Sequence, residues 1–307
     1  MITRLLLRLI TTAATLLLLV TLTFFLMRLA PGGPFDRERS LPPEIEQALI
    51  AEYHLDESLP RQYRRYVSGL LQGDLGPSFQ YEGFSVRELI AKGLPVSLTL
   101  GALAMSLAVL IGGAAGIAAA LSHRSSADHG LMGLALLGIS IPSYVVAPLL
   151  VLVFAISLHW LPAGGWQAGR WSDLVLPVIA LALPQIALIA RLMRGSLLEV
   201  LQQPWLRTAG AKGLPPHTVI LRHALKPALI PVVSYLGPAT AGILTGSVVV
   251  EQVFNLPGIG RYFVQGALNR DYTLVLGVVA LYGSLIVLCN LLVDVCYSWL
   301  DPRIKAA

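Results

Sequence analysis

Six long apolar runs divide the chain, and none of them contains Asp, Glu, Lys or Arg. A helix needs about 17 to 25 apolar residues to cross the hydrocarbon core of a bilayer. Within lipid every backbone polar group must be bonded inside the structure, which a helix achieves by itself. The sequence therefore predicts an all-α integral membrane protein with six transmembrane helices. They are Leu9 to Met27, Val96 to Leu121, Leu131 to Leu158, Leu174 to Ala190, Ala228 to Val250 and Leu274 to Val293.

The composition also indicates a membrane protein. Charged residues make up 13% of the chain and hydrophobic residues 55%, whereas soluble domains have about 25% charged residues. The net charge of +5 is dispersed along the chain, which is typical of cytoplasmic loops and not of a nucleic-acid-binding surface. Cys289 and Cys296 lie too far apart along one apolar helix to form a disulfide with each other. No Cys/His spacing typical of a metal site occurs, so we expect no metal and no cofactor.

The first apolar run follows Arg4 and Arg8, as the core of a cleaved signal peptide would. It is uncharged for 19 residues, however, and signal cores have about 7 to 15. The sequence Arg28-Leu-Ala-Pro-Gly is also a poor cleavage site. We interpret the run as a retained spanning helix.

Lys and Arg are distributed unequally over the short loops, and this bias sets the expected orientation. One side would hold Arg4, Arg8, Arg124, Arg191, Arg194, Arg207, Lys212, Arg222, Lys226, Arg303 and Lys305. The other side would hold Arg170, Arg261 and Arg270. Because basic loops stay in the cytoplasm, we predict that both termini of this multi-pass protein are cytoplasmic.

Residues 31–95 form the one sizeable polar region, with ten of the 17 acidic residues. Pro42 and Pro43 favour a helix start. A second, amphipathic helix is expected after Pro60 and would end at Gly73. Its apolar face would contain Tyr63, Tyr66, Val67, Leu70 and Leu71.

Ser85-Val-Arg-Glu88 has the pattern of a capping box and predicts a third short helix in this region. Together the three helices would form a small helical extracytoplasmic domain between transmembrane helices 1 and 2.

The chain lacks the residues that would power transport or catalyse a reaction by themselves. The middles of the six runs are uncharged, whereas an ion-coupled carrier generally uses ionisable side chains there. Asp294, one turn from Asn290, lies near a span end. Neither a phosphate-binding Gly-x-x-x-x-Gly-Lys-Ser/Thr loop nor a Gly-x-Ser-x-Gly elbow occurs. We therefore predict a pathway that is not an enzyme and is moved by another protein; an ion-coupled secondary transporter and a membrane scaffold are the alternatives.

The stretch from Gln203 to Pro227 is the longest basic break between the later apolar runs. Its small residues, Thr208 to Ala211, predict a short helix with little side-chain bulk. Gly213 can adopt a positive φ and close that helix, and Pro215 and Pro216 cannot continue it. Small faces let another backbone approach closely, so we interpret the stretch as a docking element. The positive charges around it are Arg207, Lys212, Arg222, His223 and Lys226.

At these residues the sequence resembles a known family. Arg207-Thr-Ala-Gly-Ala-Lys-Gly-Leu and Leu221-Arg-His-Ala-Leu-Lys-Pro-Ala-Leu-Ile-Pro231 are similar to the cytoplasmic coupling loop of ATP-binding-cassette (ABC) importer permeases, in the peptide and nickel subfamily. The wider superfamily usually starts this loop with Glu-Ala-Ala, whereas Arg207, Thr208 and Ala209 stand here.

Further segments carry the same resemblance from Arg28-Leu-Ala-Pro-Gly to Asp301-Pro-Arg. They are Pro31-Gly-Gly-Pro-Phe35, Gly73-Asp-Leu-Gly-Pro-Ser-Phe79, Glu251-Gln-Val-Phe-Asn-Leu-Pro-Gly-Ile-Gly-Arg261 and Ala267-Leu-Asn-Arg-Asp-Tyr272. The first two favour the oligopeptide branch.

The resemblance implies the type I ABC importer permease fold in a bacterial inner membrane. It implies a second homologous permease subunit, two ATP-binding-cassette ATPase subunits and a periplasmic or lipid-anchored peptide-binding protein as partners, besides membrane lipid. Oligopeptides would be the substrate, with dipeptides, nickel chelates or haem as alternatives. The ATPase-coupling residues would be Arg207, Thr208, Ala209, Gly210, Ala211, Lys212, Gly213 and Leu214.

Two further sets of residues are candidates for function. Weakly polar side chains in spans three to five could line a pathway, although each alone fits a hydrogen bond between helices: Ser140, Ser143, Tyr144, Gln185, Ser234, Tyr235, Thr240, Thr245 and Ser247. Candidates for contact with the binding protein are Asn255, Pro257, Gly258, Arg261, Arg270 and Asp271.

The predicted organisation has three regions. Residues 1–30 form the N-terminal cytoplasmic end and the first transmembrane helix, and 31–95 form the helical insertion, which we expect in the periplasm. Residues 96–307 form a five-helix permease core with its coupling loop at 195–227.

Overall fold

The computed structural model describes residues 2–29, 32–35, 42–167 and 169–300. Pro31, Arg303 and Lys305 lie outside these residues, as does the Asp301-Pro-Arg motif. In chain order the helices are α1 (Ile2–Leu29), α2 (Pro43–Glu52), α3 (Leu59–Leu71), α4 (Val86–Leu121), α5 (Ser126–Ser140), α6 (Ser143–Leu150), α7 (Ser172–Leu201), α8 (Pro204–Ala211), α9 (Pro216–Thr218), α10 (Leu225–Ala228), α11 (Ile230–Gly246), α12 (Val248–Val253), α13 (Ile259–Leu268) and α14 (Tyr272–Leu300). Two π-helical segments, π1 (Val151–Ser157) and π2 (Val219–Ala224), follow α6 and α9.

The all-helical membrane class is confirmed. Within the described residues, five stretches are long and apolar enough to cross a membrane: Ile10–Leu29, Val86–Leu121, Ser172–Leu201, Ile230–Val253 and Tyr272–Cys296. The third predicted span, Leu131 to Leu158, is a pair of helical segments, Ser126–Ser140 and Ser143–Ser157, bent by 99° at their break. Pro142 lies in that break and precedes α6, because proline disfavours a helical conformation in the residue before it.

The chain divides into two compact units. One comprises Met1–Val96 and Pro257–Leu285, and the other comprises Ser97–Leu256 and Ile286–Ala307. Within the first unit, a buried apolar core joins the start of α4 to α13 and α14. Its members are Val86, Leu89, Ile90, Ile259, Leu274 and Val278.

The amphipathic helix predicted after Pro60 is α3, where Pro60 occupies the first turn. It packs on α1 through aromatic rings: Phe24 is fully buried, and its centroid lies 5.2 Å from that of Tyr63 and 6.1 Å from that of Tyr66. The Tyr63 hydroxyl also lies 2.6 Å from Thr21 Oγ1. Leu71 was wrongly assigned to the packed face, because its side chain at the last turn is 84% exposed.

The capping box is present, but the separate short helix expected after it is wrong. The Ser85 backbone N–H donates to Glu88 Oε2 at 2.8 Å, and the Glu88 N–H donates to Ser85 Oγ at 3.3 Å. The helix that begins there is α4, which continues through Pro95 into the second span. A proline removes one backbone donor, which membrane helices tolerate.

Helix α7 is central to the second unit, where it contacts α5, α6, α10, α11, α12 and π2. Its contact with α4 depends on two glycines spaced by one turn. A Cβ atom on Gly112 would lie 2.6 Å from the carbonyl oxygen of Ile186, and one on Gly116 would lie 2.6 Å from that of Ala190. Small residues at this spacing allow the two backbones to touch.

Candidate coupling helix and translocation residues

The short helix expected in the basic stretch is α8. Pro204 begins it at a position where its missing N–H costs nothing. The helix ends where the Lys212 N–H bonds the Thr208 carbonyl at 3.1 Å and Gly213 adopts a φ of +82°. Pro216 then starts α9, so the chain turns sharply after α8.

A single side chain of α8, that of Leu206, is buried, and it is 4% exposed. The helix contacts π2 on that side. Arg207, Thr208, Gly210 and Ala211 are exposed, and Ala209 is half-buried. Nothing lies within 4 Å of the position that a Cβ atom on Gly210 would take. The helix therefore presents most of its surface, with little side-chain bulk, to the surroundings.

Trp205 is a residue of this site that the sequence interpretation did not include. It is 45% exposed at the start of α8, beside the small-residue face. An exposed tryptophan is a common anchor of protein interfaces. Its position directly after the helix-starting Pro204 is the signal that could have identified it.

Basic residues continue along the neighbouring segment. Arg222 and His223 of π2 are exposed, as are Lys212 at the end of α8 and Lys226 of α10. Positive charge at an exposed surface favours an acidic partner and raises the association rate.

Two of the pathway candidates are brought together. The Tyr235 hydroxyl of α11 donates to Gln185 Oε1 of α7 at 2.5 Å. Among the described residues, the other candidates do not pair with one another. Ser140, Ser234 and Thr245 donate to carbonyl oxygens of their own helices.

The remaining candidates differ in exposure. Tyr144 is 59% exposed beside the break between α5 and α6. Ser143 and Thr240 are half-buried. Ser247 is fully buried and bonds Glu251.

The six candidates for contact with a binding protein also differ in exposure. Asn255 is exposed, whereas Pro257, Arg261 and Arg270 are half-buried. Gly258 and Asp271 are buried. They present almost no accessible surface to a partner in this structure.

Asp271 has a structural role instead. Its Oδ1 accepts the Leu274 N–H at 3.0 Å and so caps α14. Its Oδ2 accepts the Ser78 hydroxyl at 2.5 Å and the Gln80 N–H at 3.0 Å. The carboxylate therefore fixes the loop before α4 against the start of α14.

Glu251 directly follows the fifth predicted span, and it is fully buried in α12. Its Oε1 accepts the Ser97 hydroxyl at 2.7 Å and the Ser247 hydroxyl at 2.8 Å. Buried carboxyl groups need such partners, because desolvation without them is costly. The sequence pattern did not indicate this cluster, since Ser97 lies 154 residues away.

A second missed cluster joins α5 to α7. Arg194 donates to both carboxylate oxygens of Asp128, with Nε 2.6 Å from Oδ1 and Nη2 2.7 Å from Oδ2. The Arg124 N–H also donates to Asp128 Oδ2, at 3.0 Å. Helix α7 continues past Arg194 to Leu201.

Comparison with known proteins shows the relationship of this chain to other sequences. Residues 112–306 match the family described as "Binding-protein-dependent transport system inner membrane component". The chain is 54% identical over 291 residues to the oligopeptide transport system permease protein OppB of Escherichia coli K12, with 95% of each chain covered. It is 44% identical over 293 residues to the dipeptide transport system permease protein DppB of Bacillus subtilis, with 95% of this chain and 94% of that protein covered.

Solved structures show the same fold. An inward-facing structure of the MetNI methionine ABC transporter aligns with a TM-score of 0.57 at 17% identity, covering 70% of this chain and 97% of the other. The helical architecture, the exposed short helix between α7 and α11 and the matches over nearly the whole sequence lead to one assignment. The chain belongs to the family of binding-protein-dependent transport system inner membrane components, the permease subunits of ABC importers.

Proposed function

We propose that this permease subunit imports oligopeptides across a bacterial inner membrane. A second homologous permease would complete the pathway, and two ATP-binding-cassette ATPase subunits would supply the energy. A periplasmic or lipid-anchored binding protein would deliver the peptide. The chain itself would not be an enzyme, since ATP hydrolysis would take place on the partner subunits.

The observation that carries this proposal is the geometry of α8. An eight-residue helix is anchored by one buried leucine, Leu206, and the rest of its surface is largely exposed. Small residues at its centre would let a groove of an ATPase subunit close around the backbone. We therefore assign ATPase coupling to Arg207 through Leu214, and we add Trp205.

The connections of α8 indicate how motion would reach the spans. Two residues, Gln202 and Gln203, join it to the end of α7, and π2 and α10 lead from α9 to α11. Closure of the ATPase subunits would displace α8. This would move the end of α7 and the start of α11. Rigid-body rocking of these helices would expose the pathway alternately to the two sides.

The names of the relatives support peptides as the substrate class. The 54% identical relative is an oligopeptide permease protein and the 44% identical one is a dipeptide permease protein. Dipeptides are therefore the second candidate. Uptake of alanine peptides of two to five residues by the complete transporter would distinguish the two, since an oligopeptide importer should prefer the longer ones.

The orientation and the binding-protein surface are part of the same proposal. We place both termini and α8 in the cytoplasm, and the insertion containing α2 and α3 in the periplasm. Asn255, Pro257, Arg261 and Arg270 are then our candidates for contact with the binding protein. Cysteine accessibility to an impermeant reagent in whole cells would test this orientation.

The coupling role can be tested with a bulky substitution on α8. In the assembled complex, Gly210→Trp should leave ATP hydrolysis measurable and should reduce peptide uptake at least tenfold. Gly133→Trp is the matched control, because it makes the same change at an exposed helical glycine with nothing within 4 Å. Unchanged uptake by Gly210→Trp would remove the docking role of α8.

The energy source needs a separate measurement. Uptake into proteoliposomes containing the complete complex should require ATP and continue when the proton gradient is collapsed. Uptake by the purified chain alone, driven by an ion gradient, would instead identify a secondary transporter.

A further inference from the structure

A cavity of about 330 Å³ lies within the first unit, beside the end of α1. Residues of α1, α2, α3, α14 and the loop after α3 line it, among them Arg28, Tyr66, Tyr53 and Phe79. Its volume falls at the lower end of the range typical of small-molecule sites, about 300 to 1,000 Å³. Neither α8 nor the pathway candidates contribute to it.

Arg28 is held firmly in the cavity wall. Its Nε donates to Gln62 Oε1 at 3.0 Å, and the guanidinium carbon lies 3.6 Å from the centroid of the Phe24 ring. Gln62 is fixed in turn, because its amide nitrogen donates to the carbonyl oxygens of Leu55 and Glu57. The guanidinium is therefore oriented before any ligand binds.

The charge of Arg28 has no carboxylate partner among the described residues. Its Nη1 is buried without a protein hydrogen-bond partner, and so is the Tyr66 hydroxyl. Burial raises the pKa of Tyr66 to about 12, so this hydroxyl remains a proton donor at physiological pH. Both residues line the cavity, and each has one donor atom without an acceptor.

Arg28 is half-buried, and an anion that completes the hydrogen bonds of a partly desolvated cation lowers the cost of its burial. Guanidinium groups bind carboxylate and phosphate oxygens especially well, because their planar N–H groups match the geometry of both. Two carboxylates line the cavity: Asp74 accepts the Gly76 N–H through Oδ1, and Glu52 is exposed. Neither of them bonds Nη1 of Arg28.

We propose that this cavity binds an oxyanion through Arg28, with the Tyr66 hydroxyl as a second donor. The oxyanion is either the terminal carboxylate of a short peptide or the phosphate of a membrane lipid, since both present the same acceptor oxygens. The site does not rest on the proposed function. Its peptide form extends that function by adding a peptide-recognition site on the permease itself.

The test uses the purified transporter complex and two probes. Trialanine and trialanine amide differ in the terminal carboxylate alone, and dioleoylphosphatidylglycerol supplies a lipid phosphate. Binding of the two peptides is measured by the thermal shift of the complex. Lipid that stays bound is measured by native mass spectrometry. Arg28→Gln should weaken binding of the relevant probe at least tenfold. Arg64→Gln is the control, because Arg64 is an exposed arginine on α3 outside this cavity.

Each outcome decides between the sources or overturns the site. Binding of trialanine, but not of its amide, that is lost in Arg28→Gln identifies the peptide carboxylate. Lipid retained by the wild type and Arg64→Gln, but lost from Arg28→Gln, identifies the phosphate. Equal behaviour of Arg28→Gln and the wild type with both probes shows that water alone occupies the cavity, which overturns the proposal.

A second variant protects the test against misfolding of Arg28→Gln. Tyr66→Phe keeps the ring packing and removes one unpartnered buried hydroxyl, so the unliganded protein should be no less stable. Binding should still weaken several-fold; unaltered binding by both this variant and Arg28→Gln contradicts the site. Peptide uptake by the wild-type complex is measured in parallel, so that failure of the site and failure of the proposed function are separated.

Discussion

Arg194 donates two hydrogen bonds, of 2.6 and 2.7 Å, to the carboxylate of Asp128, and this pair connects the first turn of α5 to α7. The carboxylate is almost inaccessible, at 2% exposure, and the guanidinium is 26% exposed. Removing one partner from a buried pair leaves the other charge unpaired, which is more damaging than removing both. The pair therefore stabilises the contact between α5 and α7.

We predict that Asp128→Asn lowers the melting temperature of the purified chain in detergent by several degrees. The double variant Asp128→Asn with Arg194→Gln should lose less than the sum of the two single variants, because the pair acts as a unit. Glu57→Gln is the comparison, since it breaks an ion pair with Arg65 whose side chain is 54% exposed; exposed pairs contribute about 0 to 1 kcal/mol. Equal losses for Asp128→Asn and Glu57→Gln would contradict the role of the buried pair.

Gly116→Ala should destabilise the protein by about 1 to 3 kcal/mol, the usual cost of overpacking. The added methyl group would lie 2.6 Å from the Ala190 carbonyl oxygen and 2.7 Å from Met193 Cβ. Gly113→Ala makes the same change where nothing lies within 4 Å. It should be neutral or stabilising by up to about 1 kcal/mol, because alanine favours helix more than glycine does. Thermal unfolding of both variants in one detergent decides the matter, and equal stability would show that α4 and α7 are not in backbone contact.

Glu251→Ala should destabilise by about 1 to 3 kcal/mol, because it removes the carboxylate oxygen that accepts hydrogen bonds from the buried Ser97 and Ser247 hydroxyls. Glu251→Gln retains an acceptor oxygen and should lose less. Gln252→Ala is the control, since the neighbouring Gln252 side chain is exposed. Circular dichroism during heating measures all three variants. A Glu251→Ala protein as stable as the Gln252→Ala protein would show that the cluster with Ser97 and Ser247 has no structural role.

Tyr235→Phe should lower the unfolding free energy by about 1 kcal/mol, the typical net contribution of one hydrogen bond. It removes the bond to Gln185 and leaves the ring in place between α11 and α7. Tyr144→Phe makes the same change at a side chain that is 59% exposed, and it should have no effect. Denaturant titration in detergent compares the two variants. A loss in Tyr144→Phe that matches the loss in Tyr235→Phe would contradict this prediction.

Local patterns in the sequence were sufficient to identify several helix ends. Gly213 takes the positive φ that ends α8, Pro60 lies in the first turn of α3, and the Ser85 and Glu88 capping box opens α4. These features depend on the conformational preferences of residues that are neighbours in the chain. The number of spans followed from the same kind of reasoning, since a bilayer demands a minimum length of apolar helix.

Contacts between distant residues could not be predicted in this way. Asp128 and Arg194 are 66 residues apart, and Ser97 and Glu251 are 154 apart. Arg194 and Glu251 both lie beyond the ends of predicted apolar runs, and nothing in the neighbouring sequence indicates their partners. Each has a partner that compensates its charge or its polar oxygens, and such a partner is identified by tertiary packing alone. The separate short helix after Ser85 was a wrong prediction, because a residue pattern does not show whether a helix continues through a proline such as Pro95.

The two glycines at the α4 and α7 contact have a consequence for how this permease can move. A carbonyl oxygen lies 2.6 Å from the position that each Cβ atom would take, so no layer of side chains separates the two backbones, and sliding or tilting of one helix against the other would produce atomic overlap. While this contact is kept, the segments of α4 and α7 around Gly112 and Gly116 therefore move as one body. Conformational changes during the cycle would then take place at other points of the chain, such as the 99° bend between α5 and α6.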